Sequence, residues 1–448
     1  MLVTKDLAGN ILRNARAKAD EAEVYISSRT QLKIDVMDQK IESIDNVGEG
    51  GLSLRMIKDK KLGFAYTADL DEHSVEGLVD QALDNSKSSI SDENAGFPGP
   101  KVQPVSMNLV EADIAGTKLE DKLKLALEIE KAAYSFDKRI KKSEKIFYQD
   151  SVSTTIIVNS KGVDVQYTKA VCGAFAEVIA EENGLMEGGS WLKFSTRFKD
   201  LDPKYIGEEA AKRAALMLGA KQERGGRAQV ILSPFAASTL ISAISPALSA
   251  EYAQKGKSIF CSARDKPVGS RKLTMMDSGI LEGALSSVPY DDEGAPTRET
   301  VVIMDGILRS YLHDNYTAKK SKVDPTGNSF RDSFKAQPEI QPTNLYVRPG
   351  HAPQEELING IGKGFLVTNI MGAHTINPIS GDFSIGFSGF LIDNGKISRP
   401  VRGMTVAGNI LDVFNHIEEI GSDLMFFPHN GNIGSPSILI SNLSVSGV

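Results

Sequence analysis

Cysteine is scarce in this chain: its 448 residues hold only Cys172 and Cys261, far apart in sequence. Two thiols cannot build a disulfide framework, and their scarcity fits a reducing compartment. Histidine occurs six times, as His73, His313, His351, His374, His416 and His429, and no two lie within one helical turn of each other. A histidine metal site would have to be gathered from distant parts of the chain. No apolar run approaches the ~18 residues that cross a bilayer, so no membrane association is expected. The stretch from Met1 to Leu7 lacks a basic segment leading into an apolar run, and a cytoplasmic location is the expectation. Gly-x-Ser-x-Gly elbows, Walker loops and dinucleotide fingerprints are also missing. Gly48-Glu49-Gly50-Gly51 lies between strand-like segments, not between a strand and a helix, so it lacks the setting that cradles phosphate. The net charge of -7 argues against a broad phosphate-neutralising surface and against direct nucleic-acid binding.

What is present is the profile of a folded protein, with 41% hydrophobic and 24% charged residues and enough length to bury a core without staples. Leu7, Ile11, Leu12 and Ala15 recur at helical spacing, after which the period switches to two. Alternation over residues 23–27, 32–36 and 40–44 predicts half-buried antiparallel strands. Asp38-Gln39, the glycines at 48–51 and Lys58-Asp59-Lys60-Lys61 read as turns between strands that include 51–57 and 62–67. Ser74 is the expected cap of a following helix. From Ser86 to about Gln103 the composition is that of a linker. Thr117 and Glu120 form a capping-box pattern at the head of a second helix, with Leu119, Leu123, Ala126, Leu127, Ile129, Ala133 and Phe136 toward a core. Strands are predicted at 145–149, 154–159, 162–168, 172–181 and 188–198, then a helix capped by Asp202-Pro203. Helix, strands, helix is the order in both units, with no residue-level repeat, which leaves an ancestral duplication open. A third unit starts with a strand at 228–232, then a helix opened by Ser233-Pro234 and reaching about Tyr252. Beyond it the chain is rich in glycine and strands, with a late helix expected over 408–420. The expected organisation is 1–90 and 110–221 as two α/β subdomains and 227–448 as a strand-rich domain. The fold class is α+β, mostly antiparallel sheets with flanking helices.

Several residues invite a chemical reading. Asp291-Asp292-Glu293 sets three carboxylates in a row, but consecutive strand residues point alternately and cannot easily share one ligand sphere. An exposed turn before Gly294 is the preferred account over a metal site or an acid of raised pKa. Asn328 and Arg331 lie in a loop suited to a peptide carboxylate or backbone, or else to a mobile surface. Cys172 sits in a predicted strand, where packing is favoured over nucleophilic chemistry.

Read in order, the C-terminal half carries a distinctive series: Tyr290-Asp291-Asp292-Glu293-Gly294-Ala295-Pro296-Thr297, Tyr311-Leu312-His313-Asp314, Thr326-Gly327-Asn328 with Arg331, Met371-Gly372-Ala373-His374, Asn377-Pro378, Gly381-Asp382-Phe383-Ser384, and Gly434-Ser435-Pro436-Ser437. In order and spacing this series resembles the TldD/PmbA protease family, and the segments around Ile41 and Tyr66 extend the likeness over nearly the whole chain. The resemblance implies a PmbA/TldD-like fold. Catalytic members carry His-Glu-x-x-x-His on the helix after the strand corresponding to 230–232, with a cysteine near the C-terminal glycine-rich segment as third zinc ligand. Here that helix reads Pro234-Phe235-Ala236-Ala237-Ser238-Thr239-Leu240-Ile241-Ser242-Ala243-Ile244, and no cysteine lies near Phe427-Pro428-His429-Asn430-Gly431. The chain thus resembles the metal-free TldE/PmbA-type subunit. That type implies no catalytic residue and no metal or other cofactor of its own, zinc being expected only in a TldD-type partner. It also implies a heterodimer with that partner or a homodimer, a peptide substrate, and proteolysis of unfolded peptides in a shared chamber. His374, Asn328, Arg331 and Asp291 are the candidates for that chamber, with a hydrogen-bonded structural role the other reading of His374. Two further accounts compete: a divergent metallopeptidase active by itself through His374, His429 or Asp291, and a modulator of DNA gyrase that acts by protein binding.

Overall fold

Alternation between polar and apolar residues runs unbroken from Glu21, and in the computed structural model it forms one 17-residue strand, β1 (Glu21–Met37). The structure describes residues 4–69, 71–100, 105–110 and 112–447, and for 72, 73, 112 and 113 the backbone only. For His73, just before a helix start, the sequence predicts a surface position; its side chain lies outside those described, as does part of the predicted linker. β2 (Lys40–Lys58) and β3 (Lys61–Thr67) follow, joined by tight turns whose residues Asp38, Gln39, Asp59 and Lys60 all have positive φ. The turn predicted at the glycines 48–51 is not there: β2 passes straight through, pairing Gly51 with Ser27 and Gly48 with Thr30. Gly51 is glycine for a different reason, since a Cβ there would lie 2.3 Å from the Phe334 ring. A strand glycine of this kind marks a close approach, not a bend.

β4 (Ile140–Asn159), β5 (Asp164–Glu182) and β6 (Leu185–Ser195) complete a six-stranded sheet in the order β3-β2-β1-β4-β5-β6. The stretches 1–90 and 110–221 therefore pool their strands in one sheet, and its order reads alike from either edge. All flanking helices lie on one face. α1 (Lys5–Arg16) and α2 (Glu72–Lys87) cover Val24, Ile26, Leu52 and Leu54. The short α3 (Ala112–Gly116), α4 (Leu119–Phe136) and α5 (Pro203–Met217) cover Ile146, Tyr148, Ala174 and Ala176. Asp71, not Ser74, caps α2, and Lys118, not Thr117, occupies the cap of α4. Leu119 and Phe136 are exposed, and Leu125 takes a core place instead.

The C-terminal region contributes two more six-stranded sheets. One holds β8 (Met275–Ser278), β9 (Glu299–Met304), β10 (Ile307–Leu308), β13 (Asn344–Val347), β18 (Met425–His429) and β19 (Gly431–Ser435). The other holds β7 (Gly226–Leu232), β14 (Lys363–Met371), β15 (Asp382–Asp393), β16 (Lys396–Asn409), β17 (Ile417–Ile420) and β20 (Ile438–Ser446). β11 (Ser329–Phe330) and β12 (Glu339–Ile340) pair apart from both. The β7–β14 and β13–β19 pairings are parallel and the remainder antiparallel, so the fold is α+β with mostly antiparallel sheets and flanking helices. The largest core joins both sheets to the helix after β7, α6 (Pro234–Ile244). Ser233 caps α6 as expected. The helix stops at Ile244 and not near Tyr252, because Pro246 has no N–H to continue it and a 3-10 turn follows. The helix predicted over 408–420 shrinks to Ile410–Asn415: β16 stays paired to β15 as far as Asn409, whose side chain then caps the short helix.

Candidate functional site

At the first turn of α6 the fold unites two distant parts of the chain. Ser238, one turn along the helix, lies 3.0 Å from His429 Nε2 at the end of β18. Phe235 packs edge-on against Phe427, with ring centroids 5.1 Å apart, and Phe427 packs edge-on against Trp191 from β6. Burial alone holds the His429 imidazole below its ordinary pKa. The Ser238 hydroxyl donates to the Phe235 carbonyl at 2.9 Å, so its oxygen is left to accept from the imidazole N–H. A serine in that state is not being deprotonated, and the pair is not a nucleophile with its base.

Beside this corner is a cavity of about 550 Å³, walled by Trp191, Arg213, Phe235, Leu366, Asn369 and Phe390. The edge strand β6 and helix α5 form one side and β14 and β15 the other. The Arg213 guanidinium lies 4.1 Å from the Trp191 ring, a cation–π contact that fixes both side chains. The Trp191 indole N–H is buried without a partner. Phe175, Trp191, Phe235 and Phe390 share the wall with Glu177, Glu209, Lys212 and Arg213, a mixed lining that suits a peptide better than a lone ion.

The acidic run is buried, not an exposed turn. Asp291 is fully enclosed and Asp292 and Glu293 nearly so, because the C-terminal region carries this segment onto the first sheet opposite two arginines. Arg55 grips Glu23 through two bonds of 2.8 and 2.7 Å and reaches Glu293 at 3.0 Å. Arg331 donates to Glu23 at 2.6 Å and to Ser53 at 2.9 Å. Burial works against the charge on Arg55, but Glu23 and Glu293 outweigh it and hold its pKa above the usual value. For Arg331 burial prevails and the pKa falls. Burial lifts Asp292 to about 6 against the pull of Arg331. Burial first, then Glu293, raises Asp291 well above the carboxylate range, against three backbone N–H groups that favour its charged form. The segment still turns at Gly294, at φ 80°.

Of the four chamber candidates, the structure brings three into one neighbourhood, Arg331 within this ionic hub and Asp291 and Asn328 beside it. Asn328 is fully buried and donates to Asp277 at 2.7 Å and to the Gln341 carbonyl at 3.0 Å. Its neighbour Ser329 donates from the backbone to Asp291, and Arg331 likewise to Asp292. His374 is elsewhere, exposed in a 3-10 turn whose neighbours Ala373 and Ile376 pack into the core. None of the four lies on the wall of the cavity beside Phe235.

Three family models match in succession: the PmbA/TldA metallopeptidase domain 1 over residues 22–86, its central domain over 112–218 and its C-terminal domain over 225–447. The chain belongs to the PmbA/TldD metallopeptidase family. A metalloprotease PmbA homolog of Buchnera aphidicola is 28% identical over 98% of this chain and 96% of that protein. A Thermotoga maritima protein provisionally named a modulator of a DNA gyrase superposes with a TM-score of 0.90 at 27% identity, over 99% of this chain and 100% of its own. TldE from Thermococcus kodakarensis shares the fold, with a TM-score of 0.91 at 24% identity over 98% of this chain and all of that one.

Membership in the PmbA/TldD family raises the question of zinc, and the corner at α6 is where the family resemblance would put it. The donors there are Ser238, Thr239 and His429. Both hydroxyls are spent on the Phe235 carbonyl, at 2.9 and 2.8 Å, and one imidazole remains. Among the described residues no three His, Cys, Asp or Glu side chains come together in a way that could hold a metal ion. This donor set does not fit a tetrahedral zinc site. His313, the other interior histidine of the family motifs, bonds Thr317 at 3.2 Å and is pushed down to about 4 by burial. Cys172 is buried within β5 and Cys261 is partly buried, and neither is in a disulfide. Sequence reasoning missed the partnership of Ser238 and His429 and the aromatic trio Trp191, Phe235 and Phe427. Only the apolar character of the α6 sequence hinted that something other than metal fills this corner.

Proposed function

We propose that this chain is a non-catalytic TldE/PmbA-type subunit, which pairs with a TldD-type chain and supplies part of the chamber in which unfolded peptides are cleaved. The observation that carries this reading is the corner at α6, where aromatic rings and a serine–histidine hydrogen bond occupy the place of zinc ligands. The cavity beside it supports a role in holding substrate: aromatic rings and charged side chains share its wall, a lining that can take both the side chains and the backbone of a peptide. Zinc and the activated water would belong to the partner. The test is to mix the purified chain with a TldD-type partner and follow cleavage of an unstructured peptide. Cleavage that needs both chains, and that falls when Trp191→Ala or Phe235→Asp is introduced here while the zinc content of the mixture stays constant, is the expected result. A TldD-type chain that cleaves equally well without this one would overturn it.

A further inference from the structure

The first sheet shows its helix-free face to the C-terminal region, and part of that face is polar where a packed interface would be apolar. On β1, Tyr25, Ser27 and Arg29 share this face; on β4, Ser151, Ser153 and Thr155; on β5, Tyr167, Lys169 and Val171. All nine line one cavity of about 420 Å³. The pairing register aligns them in rows. Arg29 is opposite Ser153, and Ser153 opposite Lys169; Ser27 is opposite Thr155, and Thr155 opposite Tyr167. With strands about 4.8 Å apart, the two cations start roughly 10 Å from each other with a serine hydroxyl midway. The next row places three hydroxyls beside them.

The charges on this wall are unevenly satisfied. Neither Arg29 nor Lys169 has an ion-pair partner among the described residues; the Lys169 ammonium donates to the Leu285 carbonyl from the opposite wall. Burial without a counter-charge pulls that ammonium down to about 8, so it stays mostly protonated at neutral pH. The two acids on the cavity wall are already engaged: Asp292 accepts from the Arg331 backbone at 2.8 Å and Asp332 from the Gln341 side chain at 3.1 Å. Arg331, also on the wall, is neutralised by Glu23, yet its Nε–H is buried with no partner. The unsatisfied groups are therefore donors and cations.

We propose that this cavity binds a small polyhydroxylated oxyanion, a sugar phosphate or sugar acid in chemical class, with its anionic group between Arg29 and Lys169 and its hydroxyls along Ser27, Ser153, Thr155 and Tyr167. The volume falls in the range of about 300–1,000 Å³ common for small-molecule sites. Charge-assisted bonds from the two cations would supply most of the affinity, and the hydroxyl rows the discrimination. The site is separate from the corner at α6, and the inference does not rest on the subunit reading.

The test is calorimetric titration of the full-length chain at low salt with four probes: inorganic phosphate, glucose 6-phosphate, gluconate and acetyl-dialanine. Saturable one-to-one binding of a hydroxylated anion is expected, weakened about tenfold or more by Arg29→Gln and by Lys169→Met. Lys335→Gln, an exposed change outside the cavity, should leave it unaltered. Tighter binding of glucose 6-phosphate than of gluconate assigns a phosphate, and the reverse a carboxylate; in both cases the inference stands. Arg29 is exposed, so Arg29→Gln carries the test even where Lys169→Met fails to fold. No saturable binding of either hydroxylated probe, tightest binding of acetyl-dialanine, or binding that both cavity substitutions leave intact would overturn the inference.

Discussion

The imidazole of His429 lies 3.0 Å from the hydroxyl of Ser238, a residue 191 positions earlier in the chain. Because the Ser238 hydrogen is directed to the Phe235 carbonyl, the histidine is the donor in this bond and the serine oxygen the acceptor. No carboxylate orients the other ring nitrogen through any hydrogen bond among the described residues. The expected outcome with a fluorophosphonate probe is an unlabelled Ser238, read by mass spectrometry of the intact chain. A stoichiometric adduct on Ser238 would show that the pair is a nucleophile and base after all.

The ionic hub yields a stability prediction. Glu23 is the shared partner of Arg55 and Arg331, with all three side chains buried. A buried ion pair adds little net stability compared with an apolar packing, but removing one member strands the others. Glu23→Ala should therefore cost about 3–5 kcal/mol in urea unfolding. Lys60→Ala, which breaks an exposed pair with Glu93, should stay within about 1 kcal/mol. Equal effects from the two substitutions would mean that the hub does not clamp the C-terminal region to the first sheet.

Gly51 and Phe334 give a second, independent check on that junction. Gly51→Ala forces a methyl group into the Phe334 ring and should destabilise by about 1–3 kcal/mol. In the background of Phe334→Ala the same change should be nearly silent, a coupling that a double-mutant cycle measures. Gly48→Ala, with open space at its Cβ, is the control.

These relationships separate what could be read in the sequence from what could not. Period-two alternation located most strand-forming stretches, and Ser233-Pro234 located the start of α6, because both are local signals. The glycines at 48–51 looked like a turn, since nothing nearby in sequence discloses that Phe334 will press on Gly51. Asp291-Asp292-Glu293 looked like a solvated run for the same reason: the compensating arginines are Arg55 and Arg331, and their approach is a property of the tertiary fold. The missing histidines and carboxylate on α6 were plain, whereas the partnership of Ser238 with His429 needed the chain folded. Likewise, the alternating Tyr25, Ser27 and Arg29 were visible as one strand face, but their alignment with Ser153 and Lys169 depends on register.

His313 sets a pH dependence. Burial holds it at about 4, below its unfolded value of about 6.5. Between those values the unfolded chain takes up a proton that the folded chain refuses. Its contribution is thus complete above pH 6.5 and is lost as pH falls toward 4, on the order of 3 kcal/mol in total. Asp277 and Asp292, both raised to about 6 by burial, act in the opposite sense, stabilising the fold as pH falls from about 6 toward 4. The difference in urea midpoint between wild type and His313→Gln isolates the histidine. It should change sharply between pH 6.5 and 4, and a difference that is flat with pH would rule out the buried neutral imidazole.

The most direct measurement for the central claim is the zinc content of the purified chain, taken together with its peptidase activity in the absence of any partner. Substoichiometric zinc and no chelator-sensitive cleavage are expected, with activity gained only on addition of a TldD-type chain. One bound zinc per chain, with cleavage by the chain alone that a chelator abolishes, would contradict that claim.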